Sequence, residues 1–363
     1  MSNTATPPGD HDDSQALTER IRQADAEGTP LRIVGGETKR FHGRDVHGKA
    51  LSTTGHRDIT TYDPVELIVS VRTGTPLAEL EAALAEQGQM LACESPHFGD
   101  SATVGGMVAT GLSGPRRPWA GSVRDFVLGT RVINHQGLEQ RFGGEVMKNV
   151  AGYDLSRLMV GAQGTLGLVT EVSLKVLPRP AATQSLRLEL PLDQALTRLA
   201  EWGRQPLPIS AVAWYAGHLH LRLEGGPSSV AATRQRLGGE DLEAGFWEDL
   251  REHRLDVFRR EDPRPLWRLS LPHNTPQLSL AGLEEGDILY DWGGTQRWLR
   301  SELDASTLRE ACARAEGHAT CLTPGAAEPF TPLAPVVAKY HHRLKAELDP
   351  RGIFNPGRLY AEL

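Results

Sequence analysis

Cysteine is scarce: Cys93, Cys312 and Cys321 are the only three in 363 residues. They are odd in number, widely spaced and form no CxxC pair. Neither a disulfide framework nor a zinc ribbon is encoded, and a reducing compartment is expected. An iron–sulfur cluster held by this chain alone is excluded as well, because such clusters typically take four Cys ligands. No apolar run is long enough to span a bilayer. There is no basic excess either. With 46 acidic against 39 basic residues the formal net charge is -7, so no global field attracts nucleic acid or anionic lipid. Residues 1–13 are polar and acidic without an apolar h-region. They read as a disordered tail and not as a signal peptide, so a cytoplasmic location is expected, with no direct membrane insertion and any contact with the inner membrane made through partners.

What remains is a globular composition, 39% hydrophobic and 23% charged, in a chain long enough for two or three domains. Leu17, Ile21 and Ala24 share one helical face, and Gly28 stops that helix. Residues 31–34 form a short strand running into Gly35-Gly36, and 67–71 a second strand. Thr75 is expected to cap a helix with Pro76 in its first position and Leu77, Leu80 and Leu84 as its buried stripe. Residues 132–134 and 138–142 flank Gly137 as a hairpin, and 168–177 alternate as a strand closed by Pro178-Arg179-Pro180. From residue 181 to about 328 glycine thins out and tryptophan accumulates. A hairpin around Gly217 (212–223) and a helix (191–202) mark a second, smaller α+β domain. A last helix, Pro335–Leu348, ends at Asp349-Pro350, since proline cannot continue a helix and disfavours it in the preceding residue.

The 38 glycines crowd between Gly99 and Gly167, where the chemistry is expected. In Ile33-Val34-Gly35-Gly36-Glu37-Thr38-Lys39 a strand ends in two glycines and a hydroxyl residue. Such a turn can present successive N–H groups as an anion nest, although alone it reads equally as a plain connection. The stretch from Asp100 to Gly111 is richer, with hydroxyls at Ser101, Thr103 and Thr110 around Gly105-Gly106. It suits a pyrophosphate wrapped by backbone N–H groups. No GK[ST] follows, which excludes a P-loop, and no GxGxxG sits between a strand and a helix, which excludes the nicotinamide-type fingerprint. Residues 161–167 are rejected as such a motif because a strand follows. Lys148 reads as a phosphate or reduced-flavin partner or as a solvated lysine, and Asp154 as a helix cap.

These residues resemble the vanillyl-alcohol-oxidase/p-cresol-methylhydroxylase class of FAD-binding proteins, and within it the E-subunit family of bacterial glycolate oxidase, also called glycolate dehydrogenase. The most specific stretches are Gly105-Gly106-Met107-Val108-Ala109, Gly114-Pro115-Arg116-Arg117-Pro118-Trp119, the run from Phe142 to Leu158, Asp291-Trp292-Gly293-Gly294, and Asp349-Pro350-Arg351-Gly352-Ile353-Phe354-Asn355-Pro356-Gly357-Arg358. The resemblance implies an α+β fold: an FAD-binding domain of two subdomains (14–180), an α+β cap domain (181–328) and a C-terminal segment returning to the FAD domain (329–363). It implies that Gly35, Gly36, Glu37, Thr38 and Lys39 form a first phosphate loop and that Ser101, Thr103, Val104, Gly105, Gly106, Thr110 and Gly111 line a second. Gly164, Gly167 and Val169 would lie near the adenine end, and Asn355 near the flavin.

The family's covalent FAD links use a His or Cys, often in the first loop. Here Lys39, Arg40 and Phe41 stand there and His42 only follows, so non-covalent FAD is expected. The histidine-rich metal motif of the related D subunits is reduced to Gly217-His218-Leu219-His220. Those two histidines share a strand face but read as a surface feature of the hairpin, and no metal is assigned. For a substrate carboxylate, Arg116, Arg117 and Arg124 are candidate clamps, with solvated or partner-facing arginines as the competing reading. No catalytic base is assigned. The implied function is oxidation of glycolate, a small 2-hydroxy acid, to glyoxylate beside a D-type FAD subunit and an iron–sulfur F subunit. The alternatives are an FAD-binding electron relay or scaffold, and an independent alcohol or sugar oxidase of the same fold.

Overall fold

The structure is a computed structural model that describes residues 11–144, 153–243, 245–259, 261–283 and 287–363. Lys148 lies outside the described residues.

Chain order builds two large sheets, one from each half of the chain, and two small two-stranded ones. The helix Ser14–Glu27 buries Leu17, Ile21 and Ala24 and ends at Gly28 in the left-handed region, φ 64°. The strand Leu31–Val34 then pairs in parallel with Lys49–Ser52. Next comes a five-stranded antiparallel sheet, in the spatial order Ile59–Asp63, Ile68–Arg72, Leu168–Lys175, Val127–Ile133, Glu139–Gly143. The helix Leu77–Glu86 lays Leu77, Leu80 and Leu84 on Val69, Val71, Val172 and Leu174 of that sheet. Each of these apolar side chains contributes about 1.5–3 kcal/mol by leaving water.

The expected cap of this helix is corrected. Pro76 holds the N-cap position, and the fully buried Thr75 uses its hydroxyl to accept the Asp58 N–H at 2.9 Å. Burial gave Thr75 a tertiary donor in place of a helical one. The Asp154 cap is present: its carboxylate accepts the Arg157 N–H at 3.0 Å.

Residues 182–321 form an eight-stranded antiparallel sheet. Its order is Glu240–Asp241, Ala182–Glu189, His218–Gly225, Ile209–Tyr215, Ile288–Asp291, Gln296–Arg300, Leu266–Ser270, His318–Cys321. One face packs under helices in a core that includes Trp214, Trp267, Leu299 and Leu308. The other carries Ala211, Ala213, Leu289 and Trp298, with Phe41 of the first half packed against it. That second face is fastened by charge. Glu94 sits between Arg116 and Arg222 (3.1 and 2.9 Å), and Glu224 accepts from Arg116 Nη1 and Nη2. Burial pushes the Glu94 carboxyl up, but Arg222 and then Arg116 outweigh it and hold it low.

The helix Pro335–Leu348 forms over the expected residues. Beyond it Ile353 and Phe354 return to the first half, where Phe354 bridges Leu31. No helix among the described residues is long and apolar enough to cross a membrane.

Candidate functional site

The strand Leu31–Val34 delivers the chain into the loop 35–39, the floor of a cavity of about 1100 Å³ counting its open mouth. The loop has the geometry of an anion nest, with Glu37 in the left-handed region at φ 54°. The N–H groups of Gly36, Glu37, Thr38 and Lys39 donate to no acceptor among the described residues. Gly36 is obligatory for packing, since a Cβ there would lie 1.5 Å from the Ser101 carbonyl oxygen. Ser101 Oγ donates to the Gly36 carbonyl at 2.8 Å, which clamps the two loops together.

The second glycine stretch is not a wrapping loop. Val104–Thr110 is a helix, with Thr103 as N-cap accepting the Gly106 N–H at 3.1 Å. Its other early N–H groups are also used: Val104 donates to Thr75, Gly105 to Thr73 and Met107 to Thr103. The free backbone donors therefore belong to the first loop, and the second supplies a close, side-chain-free wall.

Of the residues singled out in the sequence, Gly35, Gly36, Glu37, Thr38, Lys39, Thr103, Gly105, Gly106, Thr110, Gly164, Gly167, Val169 and Asn355 line this cavity. Ser101 acts behind it, Val104 is core, and Gly111 is the left-handed C-cap of the short helix. Gly164 and Asn355, assigned to opposite ends of the dinucleotide, are neighbours: a Cβ on Gly164 would lie 2.8 Å from Asn355 Nδ2. Both ends of the Asn355 carboxamide are engaged, accepting from Ile33 N (2.8 Å) and donating to the Gln163 carbonyl (2.7 Å). Lys39 is buried, and burial, opposed by Glu252, brings its ammonium down to about 8.

Sequence reasoning passed over Arg358 and Gln163. Arg358 Nε donates to Gln163 Oε1 at 2.7 Å, and Nη2 donates to the His42 carbonyl at 2.7 Å. This guanidinium ties the end of the first loop to the 161–167 segment, which was set aside as a motif yet lines the cavity through Ala162, Gln163, Gly164 and Gly167. Its position inside the run 349–358 was the available signal.

A second, much tighter cavity, about 390 Å³ only when its open mouth is counted, lies between the eight-stranded sheet and the segment that follows the short helix. Phe98 marks the boundary between the two: the Lys39 ammonium lies 5.9 Å from its ring, which also meets Phe41 edge-on at 5.3 Å and His253 at 4.7 Å. His253 stacks on Phe258 (4.1 Å) and meets Trp298 edge-on (4.6 Å). Asp291 also lines this space. Burial raises its carboxyl to about 7, against hydrogen bonds from Trp292 N and Gln296.

The expected clamps fall elsewhere. Arg116 is buried and given over to Glu94 and Glu224, Arg117 stacks over Trp292 at 4.4 Å, and Arg124 is exposed. His220 is not a surface residue either. It is 6% exposed, stacked 4.1 Å from Phe246, because the strand His218–Gly225 lies inside the sheet and its face is covered. Among the described residues no three His, Cys, Asp or Glu gather as a metal site. The three cysteines are buried and free.

Three histidines are held neutral. Burial brings His220 down to about 4. His253 falls to about 3 by burial and then Arg268. His42 drops well below 6.5 by burial and then Arg268 and Arg358. A depressed folded value means the unfolded chain binds more protons, so this stability is present above about pH 6.5 and lost on acidification toward pH 4. Asp291 works in the opposite sense, losing stability as pH rises from 3.8 to about 7, but it is one group against three. The melting temperature should therefore fall between pH 7.5 and 5, and His220→Phe, which keeps the stack on Phe246, should flatten that slope. An unchanged slope in the variant would mean that His220 is protonated in the folded protein.

A domain with an N–H nest facing a glycine-walled helix start, set against an antiparallel sheet, defines a flavin-dinucleotide-binding protein of two-sheet architecture. Residues 11–143 match the FAD binding domain family. The fold is shared with alkyldihydroxyacetonephosphate synthase (TM-score 0.66, 15% identity, 94% of this chain and 75% of that one). The chain is 54% identical to the glycolate oxidase subunit GlcE of Escherichia coli K12 over 97% of its own length and 99% of that protein. It belongs to the family of that subunit. More distant relatives match over shorter parts of the chain. These include a D-lactate dehydrogenase of Anaerostipes hadrus (37% identity, 38% of this chain, 29% of that protein) and the glycolate oxidase subunit GlcD of Bacillus subtilis (35%, 35% and 27%).

Proposed function

We propose that this chain is the FAD-binding subunit of a glycolate oxidase complex that oxidises glycolate to glyoxylate beside a D-type FAD subunit and an iron–sulfur F subunit. The observation that supports it most directly is the first cavity. Four consecutive N–H groups without acceptors among the described residues suit a pyrophosphate, and the glycine walls admit a close approach. The nest of 35–39 would hold the phosphates, the start of the helix Val104–Thr110 would close one wall, and Gln163, Asn355 and Arg358 would fix the opposite one. When bound, FAD supplies the two-electron acceptor for hydride from the carbinol carbon.

The chain's own part is to seat the cofactor, keep water out and hold the substrate. Neither His nor Cys is among the residues lining the first cavity, which supports non-covalent attachment. The competing relay or scaffold reading draws on the lack of a three-residue metal cluster among the described residues.

The test is the visible spectrum of the purified chain before and after anaerobic glycolate. Flavin bands that bleach support its own turnover. Bands that persist, while the full complex oxidises glycolate, move oxidation to a partner and leave this chain as relay or scaffold. Acid precipitation should leave the yellow colour in the supernatant. Colour in the pellet would overturn non-covalent binding, and a protein that takes up no FAD would overturn the whole reading.

A further inference from the structure

One peptide group, the amide between His97 and Phe98, joins a carboxylate of the second half of the chain to a cation in the first cavity. Its N–H, that of Phe98, donates to Glu252 Oε2 at 2.7 Å. Its carbonyl, that of His97, accepts from Lys39 Nζ at 3.3 Å. Lys39 lines the first cavity. A hydrogen bond at one end of an amide polarises the group and strengthens the bond at its other end. The Glu252 carboxylate therefore acts on the Lys39 ammonium through a single peptide.

Both ends are built to stay in place. Glu252 follows the helix Gly245–Arg251, whose Trp247 and Leu250 are buried in the core on the eight-stranded sheet. Its N–H continues that helix by donating to the Glu248 carbonyl at 2.8 Å. Its buried carboxylate also accepts the His97 N–H at 3.1 Å and Arg251 Nε at 2.7 Å. The His97 ring lies 3.1 Å from Glu81 Oε2, on the helix Leu77–Glu86 of the first half. Phe98 stands in the left-handed region at φ 55°, which a bulky residue seldom adopts. That turn lets two successive N–H groups converge on one carboxylate. Such strain persists only where the neighbours over-determine it, and it gathers at functional sites.

This contact is not needed to fasten the two halves. Arg116, Glu94, Arg222 and Glu224 already do so, and none of them lines the first cavity. Lys39 is different. Its ammonium is buried among the His97 carbonyl, the Thr38 hydroxyl at 3.5 Å and the Phe98 ring, all of them neutral. Burial lowers it, and Glu252, the charge that acts on it, holds it up at about 8, so it is charged at neutral pH. An ammonium in the wall of this cavity faces the anionic chemistry of FAD, either its pyrophosphate or a ring that gains negative charge on reduction.

We infer that Glu252 is a positioning residue for the cofactor: acting through the His97–Phe98 peptide, it fixes the Lys39 ammonium in the cofactor cavity, so that the second half of the chain sets a charge that FAD meets. The inference rests on the FAD reading of the first cavity and is independent of which subunit oxidises glycolate.

The experiment is a double-mutant cycle on the full chain: wild type, Glu252→Gln, Lys39→Met and the two combined. Glutamine keeps the shape and an acceptor for the Phe98 N–H but drops the charge. Methionine keeps an unbranched side chain in the buried lysine's place. FAD affinity is read by flavin fluorescence, the two-electron midpoint potential by spectroelectrochemistry, and the melting temperature on the apo forms. ADP serves as a second ligand that carries the pyrophosphate without the ring.

If Lys39 meets the phosphates, Lys39→Met should weaken FAD and ADP alike, roughly 10- to 100-fold, at an unchanged potential. If it meets the ring, ADP should bind as before and the potential should fall by about 30–60 mV, a 10- to 100-fold loss for reduced over oxidised FAD. In either case Glu252→Gln should give a smaller change in the same sense, and no further change once Lys39 is methionine. A carboxylate that only holds the loop would cost the same in both backgrounds. An additive cycle, a Glu252→Gln protein with wild-type affinity and potential, or a Lys39→Met protein that keeps both would overturn the assignment. A wild type that takes up no FAD would remove the cofactor reading as well, whereas FAD uptake with an additive cycle removes the role of Glu252 alone.

Discussion

Gly106→Trp should give a folded but colourless protein. The residue lines the first cavity, and a Cβ built on it meets only Thr103 Oγ1, at 3.4 Å. The fold therefore tolerates a side chain there, and helix propensity favours one, glycine being about 1 kcal/mol worse than alanine within a helix. The indole would occupy space that the cofactor needs, so FAD affinity should fall at least about 100-fold.

The apoproteins of wild type and variant should melt within a few degrees of each other, because the comparison removes ligand linkage. Gly36→Ala is the informative contrast. Its Cβ would lie 1.5 Å from the Ser101 carbonyl, so it should lose both colour and stability. The ratio of flavin to protein absorbance, with melting curves of the apo forms, checks both. A Gly106→Trp protein that keeps stoichiometric flavin would remove the start of the short helix from the cofactor site.

The second large effect is expected at Asp349. Its side chain is fully buried and accepts from Lys345 Nζ (2.7 Å), Ile353 N (3.0 Å) and Phe354 N (2.8 Å). Lys345 also donates to the carbonyls of Thr165 (2.7 Å) and Phe354 (2.8 Å). This ion pair therefore pins the C-terminal segment to the 161–167 wall of the cavity. Asp349→Ala strands a buried ammonium and two backbone donors, a loss of about 3–5 kcal/mol. The next residues carry Asn355 and Arg358, so flavin should be lost together with stability. Lys345→Met in the same chain removes the stranded charge and should recover part of the stability but not the two N–H partners. Denaturant unfolding of the single and double variants measures this. A cost below about 1 kcal/mol would mean that the segment is held by Ile353 and Phe354 alone.

Local pattern was legible wherever one element decides for itself. Leu17, Ile21 and Ala24 with Gly28 define a helix and its end because spacing and a left-handed cap are properties of consecutive residues. Pro335–Leu348 followed in the same way. The first loop was legible as a nest because strand, glycine pair and hydroxyl lie within seven positions.

Thr75, His220 and Arg116 were misjudged for a common reason. Each has its partner far away in sequence: the Asp58 backbone, the Phe246 ring and Glu224. A buried polar group is satisfied by whatever tertiary contact reaches it, and sequence spacing carries no information about that contact.

The amino-acid sequence by itself determined the family and the cofactor, because these rest on runs of residues read in order. Only the tertiary structure decided that the free N–H donors belong to the first loop while those of the second are spent on Thr73, Thr75 and Thr103. It also decided that Asn355 and Arg358 close the cavity from 322 and 195 positions away. Hydrogen-bond satisfaction and charge compensation are sums over every neighbour in space, and that sum exists only once the whole chain has folded.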